Sequence, residues 1–172
     1  MIETLRSRRS IRKYLDKPVE SEKVAFLKEA VLRSPSSKNI NPWEFIFVDD
    51  PAIIRKMKQC KPHGAAPLET APLAVVICAD VNKNDVWIED CSIASIILQL
   101  MAHSLQLGSC WIQIRNRKYD LTITSEIYLQ ELLGIPLQYK ILDIITIGYS
   151  QKERLGKPDN ELLFDKIHTN RF

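Results

Sequence analysis

The sequence predicts an α+β fold, a single domain spanning residues 1–172 around one sheet. Three observations carry that prediction. Short runs at 43–48, 73–79, 110–114 and 141–149 have the length and apolar composition of strands. The stretches around them carry helical signals that end in glycine, proline or small polar residues. The chain has 172 residues, 45% hydrophobic and 26% charged, which suits one domain whose core needs no disulfide or metal.

Residues 3–9 predict a short helix, and Lys17-Pro18 breaks the chain before the next element. Residues 21–32 predict an amphipathic helix, with Val24, Leu27, Ala30 and Val31 at helical spacing. The stretch from Ser34 to Pro42 cannot continue it, because proline and small polar residues favour turns. Residues 43–48 follow as a strand, and Pro51 opens a helix to about Cys60. Residues 61–70 hold Pro62, Gly64 and Pro67 and form a loop. Residues 73–79 are almost entirely apolar, as in a strand buried on both faces. Residues 85–107 form the longest helix, apolar nearly all round and therefore central; Gly108 is its expected stop. Strand 110–114, helix 124–133 ended by Gly134, and strand 141–149 complete the order. The tail from about 151 to 172 ends with Leu162, Leu163, Phe164, Ile167 and Phe172. A solvated tail has no use for those groups, so it is expected to lie on something.

The formal net charge of +3 is too small to argue for a nucleic-acid or membrane partner. There is no secretory pattern and no apolar run of about 18 residues, so a cytoplasmic setting is expected. Cysteines 60, 78, 91 and 110 form no closely spaced pair and read as small buried hydrophobes. His63, His103 and His168 are scattered, so no metal site is expected, and His103 reads as structural. Dinucleotide, P-loop and nucleophile-elbow motifs are all missing. A bound phosphate must therefore be held by side chains. Arg8, Arg9, Ser10 and Arg12 supply guanidinium forks and a hydroxyl that match phosphate oxygens. In an extended segment Arg8, Ser10 and Arg12 point the same way. Nucleic acid would need base-stacking aromatics beside them, and only Tyr14 is near.

Three blocks stand in register with the arginines. They are Pro35-Ser36-Ser37-Lys38-Asn39-Ile40-Asn41-Pro42-Trp43, Asp90-Cys91-Ser92-Ile93-Ala94, and Leu107-Gly108-Ser109-Cys110-Trp111-Ile112. With Ile147-Gly148-Tyr149 and Ile167-His168, this series resembles the nitroreductase family from about Leu5 to the C-terminus. The resemblance implies an intertwined homodimer with a central mixed, mainly antiparallel sheet flanked by helices and FMN at the subunit interface. It implies that Arg8, Arg9, Ser10 and Arg12 bind the FMN phosphate and ribityl chain. Pro35, Ser36, Ser37 and Asn39 would reach the flavin from the other subunit, Gln113 would lie near the pyrimidine edge, and Lys157 or Arg171 would complete the phosphate site. Tail 151–172 would pack on the partner.

The implied activity is NAD(P)H oxidation, with NADH or NADPH as reductant. Ping-pong hydride transfer through flavin N5 would reduce a nitroaromatic, quinone or similar electron-poor small molecule. No side chain need act as acid or base, because the cofactor carries the chemistry. The alternative is an FMN-binding store or sensor with little turnover. Departures from the family are the short chain, Ile96-Ile97 where many members carry Gln-Asn, and a segment 61–70 without the basic contact some members have there. The two isoleucines read as core or dimer packing.

Overall fold

The computed structural model describes residues 1–172. Its helices are α1 (Ile2–Ser7), α2 (Ser21–Leu32), α3 (Pro51–Met57), α4 (Trp87–Ser104) and α5 (Ser125–Leu133), and its strands β1 (Trp43–Val48), β2 (Leu73–Asp80), β3 (Gly108–Gln113) and β4 (Tyr139–Gly148). The sheet order is β1-β2-β4-β3, and every neighbouring pair is antiparallel. Since β2 and β3 both oppose β4, they run parallel to each other on its two sides, and the chain between them crosses over as α4. A parallel bridge between Ser10 and Ser109 adds the N-terminal segment outside β3.

β2 shows why its residues are apolar throughout. Leu73, Val75, Ile77 and Ala79 pack with Leu27 and Val31 of α2 and Leu98 and Ala102 of α4. Ala74, Val76 and Cys78 face the opposite way, onto Ile54 and Met57 of α3 and Leu129 of α5. Alternation by two puts neighbours on opposite faces, and both faces are covered.

Local chemistry sets the helix ends. The Asp50 carboxylate accepts from Ala52 N at 2.7 Å and Ile53 N at 3.4 Å, opening α3 ahead of Pro51. Thr124 caps α5, and Gly134 at φ 68° closes it in the left-handed conformation. The long helix is two residues shorter at its start than the periodicity predicts, because Asn84 Oδ1 takes Val86 N in a turn at 3.3 Å.

β4 carries a bulge. Ile77 pairs with Asp143 and Cys78 with Ile141, leaving Leu142 as the extra residue. Beside it the Asp143 side chain is fully buried. Ser95 of α4 donates to its Oδ2 at 2.8 Å, while Oδ1 has no partner. Burial pushes the pKa of this carboxyl well above the ordinary range, opposed by the Ser95 hydrogen bond.

The tail does not join the core. Phe164 is 68% and Ile167 70% exposed, and on α4 Ile93 and Ile96 are also exposed.

Candidate functional site

Arg8 leaves α1 in an extended conformation, φ −62° and ψ 129°. Ile11 N donates to Ser109 O at 2.9 Å, Leu15 N to Tyr149 O at 2.8 Å and Gln151 N to Lys13 O at 3.2 Å. These bonds lay residues 8–15 along the outer edge of β3 and across the end of β4. Arg8 and Arg12 flank Ser10, which bridges to Ser109, the residue before Cys110. Arg8 and Arg12 therefore come to the edge of β3. Burial raises the pKa of the Cys110 thiol, and the positive charges of Arg12, Arg8 and Lys61 pull it back. Arg9 turns elsewhere: its Nη1 donates to Leu155 O at 2.8 Å and ties the tail to the body.

Gly108 makes this close approach possible. A Cβ there would stand 2.6 Å from Ile11 Cγ1, 2.7 Å from Ile11 Cβ and 2.9 Å from Ile11 Cγ2. The expectation that Gly108 stops the long helix needs correction. α4 ends at Ser104, and the left-handed residue is Gln106 at φ 62°. Gly108 instead begins β3, opposite Gly148.

At the far end of β3, Gln113 is held on three sides. Trp111 Nε1 donates to its Oε1 at 3.0 Å, its Nε2 donates to Arg115 O at 3.1 Å, and Lys61 Nζ donates to its carbonyl at 2.7 Å. The indole N–H can only donate, so it fixes which amide atom is oxygen. Burial lowers the Lys61 pKa, and the nearby Arg117 lowers it further. Segment 61–70 thus supplies a cation that holds the β3 backbone at this edge.

A cleft of about 410 Å³ adjoins Arg12 and Lys13, and Lys152 and Arg154 line it with no carboxylate among its walls. Ser150 Oγ donates to Lys152 O at 2.6 Å and accepts from Lys152 N at 3.3 Å, which folds residues 150–152 into a tight turn. Lys157 lines a different cleft, shared with Arg8 and Arg9 between α1 and the tail. Arg171 is exposed near the C-terminus, where its N–H bonds to Thr169 O at 2.8 Å. Sequence reasoning missed Lys61, Lys152 and Arg154. The signal for the last two was their place directly after strand 141–149, a strand end that β-pairing brings back to residues 13–15.

The Pro35–Asn39 group sits elsewhere. It precedes β1, at the opposite edge of the sheet, three strand spacings or about 14 Å from β3. One chain therefore does not bring Ser36, Ser37 and Asn39 to Arg8 and Arg12. The loop is nonetheless prearranged. Lys38, Asn39 and Asn41 have φ of 51°, 56° and 52°, which is left-handed backbone that asparagine tolerates better than most residues. Ser36 Oγ donates to Asn41 Oδ1 at 2.6 Å and accepts from Asn41 N at 2.9 Å. Buried Asp90 of α4 accepts from Ser37 N at 2.8 Å and Asn84 Nδ2 at 2.7 Å. Asp90 therefore fixes the loop to the central helix.

The remaining candidates have structural partners. His103 Nε2 shares a 2.7 Å hydrogen bond with Ser7 Oγ, joining α4 to α1. Burial pushes the Cys60 thiol up to about 11 and the Cys78 thiol to about 12, which leaves them protonated and unreactive at neutral pH.

Comparison with known proteins agrees with this architecture. The nitroreductase family profile matches residues 5–61 and 61–149. A protein of Archaeoglobus fulgidus named as an NADH dehydrogenase/NAD(P)H nitroreductase is 32% identical over 171 residues, covering 96% of this chain and 95% of that protein. An FMN-dependent nitroreductase of Clostridium difficile superposes with a TM-score of 0.98 at 50% identity, and all of each chain is covered. A Parabacteroides distasonis structure described as an NADH dehydrogenase/NAD(P)H nitroreductase superposes with a TM-score of 0.89 at 33% identity, covering 99% of this chain and 98% of that one. An α+β fold of this topology, matched across nearly the whole chain by nitroreductases, defines a nitroreductase-like protein. The chain belongs to the nitroreductase family.

Proposed function

We propose that this protein is an FMN-dependent NAD(P)H oxidoreductase that works as a homodimer. The observation that carries the reading is the placing of Arg8 and Arg12 at the edge of β3 by the Ser10–Ser109 bridge, with Lys61 Nζ on the Gln113 carbonyl at the far end of the strand and Lys152 and Arg154 beside Arg12 in an acid-free cleft. A phosphate dianion needs charge-assisted donors, and a flavin ring needs a wall with a few fixed polar groups at its edge. The donor set fits both parts of FMN. Arg12, Lys152 and Arg154 would hold the phosphate, Arg8 and Ser10 the ribityl chain, and the β3 backbone near Gln113 the ring edge. Lys61 would hold that backbone in place through the Gln113 carbonyl.

The loop at Pro35, Ser36, Ser37 and Asn39 would complete the site from the other subunit. The separation of the two groups in one chain supports this, as do the exposed apolar residues of α4 and the tail, which a partner would cover. Lys157 or Arg171 would complete the phosphate site from the tail, and Arg9 acts by holding that tail. Bound FMN would supply the hydride transfer between NAD(P)H and an electron-poor acceptor such as a nitroaromatic or quinone. The protein's part is to bind, orient and exclude water.

The test is the visible spectrum of the purified protein, with FMN added if it is colourless. Flavin bands that bleach with NAD(P)H under anaerobic conditions are expected, together with parallel double-reciprocal plots for the two substrates. Bound flavin that does not bleach would point to the store or sensor instead, and failure to bind flavin would overturn both readings.

A further inference from the structure

The loop after β3 carries a second group of cations that the flavin reading does not use. Arg115 and Arg117 line a cleft of about 230 Å³ with Trp87, Asn116, Glu126 and Lys140. The two carboxylates nearest in sequence are already engaged. Glu126 Oε1 meets Lys140 Nζ at 3.1 Å and its Oε2 accepts from Ile141 N at 3.0 Å. Asp120 Oδ1 accepts from Thr122 N at 2.7 Å, Thr122 Oγ1 at 2.7 Å and Ile123 N at 2.9 Å. Neither Arg115 nor Arg117 is in a salt bridge with any acid.

The loop is built to present them. Ile114 N and Arg115 N both donate to Leu142 O at the β4 bulge, at 3.1 and 3.0 Å. Asn116 is left-handed at φ 59°, and Lys118 bridges to Thr124. Such compact closed loops hold their side chains in place. Arg115 lies two residues beyond Gln113, about 7 Å along extended chain, and Arg117 is close enough to Lys61 to repel its ammonium. The cleft is smaller than the roughly 300–1,000 Å³ that encloses a whole small ligand, so it suits the charged portion of a larger one.

We propose that Arg115 and Arg117 form a phosphate-binding cleft for the pyridine-nucleotide reductant, with Trp87 as its apolar wall. This rests on the reading that Gln113 marks the flavin edge. The dihydronicotinamide then lies over β3 while its phosphates extend toward the loop, where the two guanidinium forks meet them.

The experiment is calorimetric titration of the protein as purified with ADP and with adenosine. ADP should bind more tightly than adenosine and more weakly as salt rises. Arg115→Ala with Arg117→Ala should weaken ADP binding at least about tenfold and raise the KM for NAD(P)H more than it changes kcat. Arg115→Lys with Arg117→Lys should fall in between, since lysine keeps charge and loses the fork. Equal affinity for adenosine and ADP, or unchanged ADP affinity in the double alanine variant, would overturn the proposal. Flavin absorbance of the same samples separates the two readings. Flavin bound without ADP binding removes the cleft alone, whereas ADP binding without flavin removes its link to the flavin site.

Discussion

Gly108→Ala tests whether the approach of residues 8–12 to β3 builds the site. The new Cβ would stand 2.6–2.9 Å from three carbons of Ile11, against about 3.5–4.0 Å for ordinary carbon contact. The neighbours must part by roughly 1 Å. Ile11 cannot simply swing away, because its N–H is bonded to Ser109 O at 2.9 Å and its side chain is only 9% exposed. Overpacking of this kind costs about 1–3 kcal/mol of stability. The same shift would carry Arg8 and Arg12 with the backbone. If it stretches one 2.8 Å charge-assisted hydrogen bond beyond its working range, the loss is about 1.5–3 kcal/mol. FMN affinity should therefore fall about 10- to 100-fold. Urea denaturation and flavin fluorescence titration read the two effects separately. Ile11→Ala in the same background should recover part of both, giving a coupling energy of about 1 kcal/mol or more. Wild-type stability and flavin affinity in Gly108→Ala, or strictly additive effects in the pair, would refute the reasoning.

Arg12→Ala with Lys152→Ala should weaken FMN binding at least about 100-fold, while the urea midpoint without flavin moves little, since both side chains are exposed; unchanged flavin affinity removes the phosphate assignment. Asp143 binds a proton more tightly in the folded chain than in the unfolded one, so its contribution is fully present below the ordinary carboxylate pKa and is lost as pH rises toward the folded value. Asp143→Asn should accordingly gain stability relative to wild type by up to about 1.4 kcal/mol per pH unit above pH ~4; denaturation curves at fixed protein concentration with a pH-independent difference would contradict this. Gly134→Ala places a side chain on a left-handed residue with nothing within 4 Å of the new Cβ, so only backbone strain of about 1 kcal/mol is expected, with flavin affinity unchanged.

Much of the fold could be read along the chain. The 73–79 run announced a strand covered on both sides, and the structure packs α2 and α4 on one face and α3 and α5 on the other. Gly134 closed its helix as expected, whereas Gly108 did not, because the same residue type also serves where two backbones come close. The arginine block and the Pro-Ser-Ser and Leu-Gly-Ser-Cys-Trp blocks, read together, pointed to the family that the relatives share.

Periodicity, turn residues and caps act within a few positions, so residue order was enough for the elements, their sequence and the chemical character of the proposed anion site. Which side chains meet depends on strand pairing over long separations. Lys61 reaches the Gln113 carbonyl across 52 residues, and the pairing of Tyr14 with Ser150 brings Lys152 and Arg154 beside Arg12. Arg9, though it stands between Arg8 and Ser10, bonds to the tail, because an extended chain sends successive side chains to opposite sides. The serines and asparagine of the 35–41 loop belong to the same series of blocks as the arginines, yet lie at the other edge of the sheet. Those choices follow from register and strand order, which no local pattern encodes.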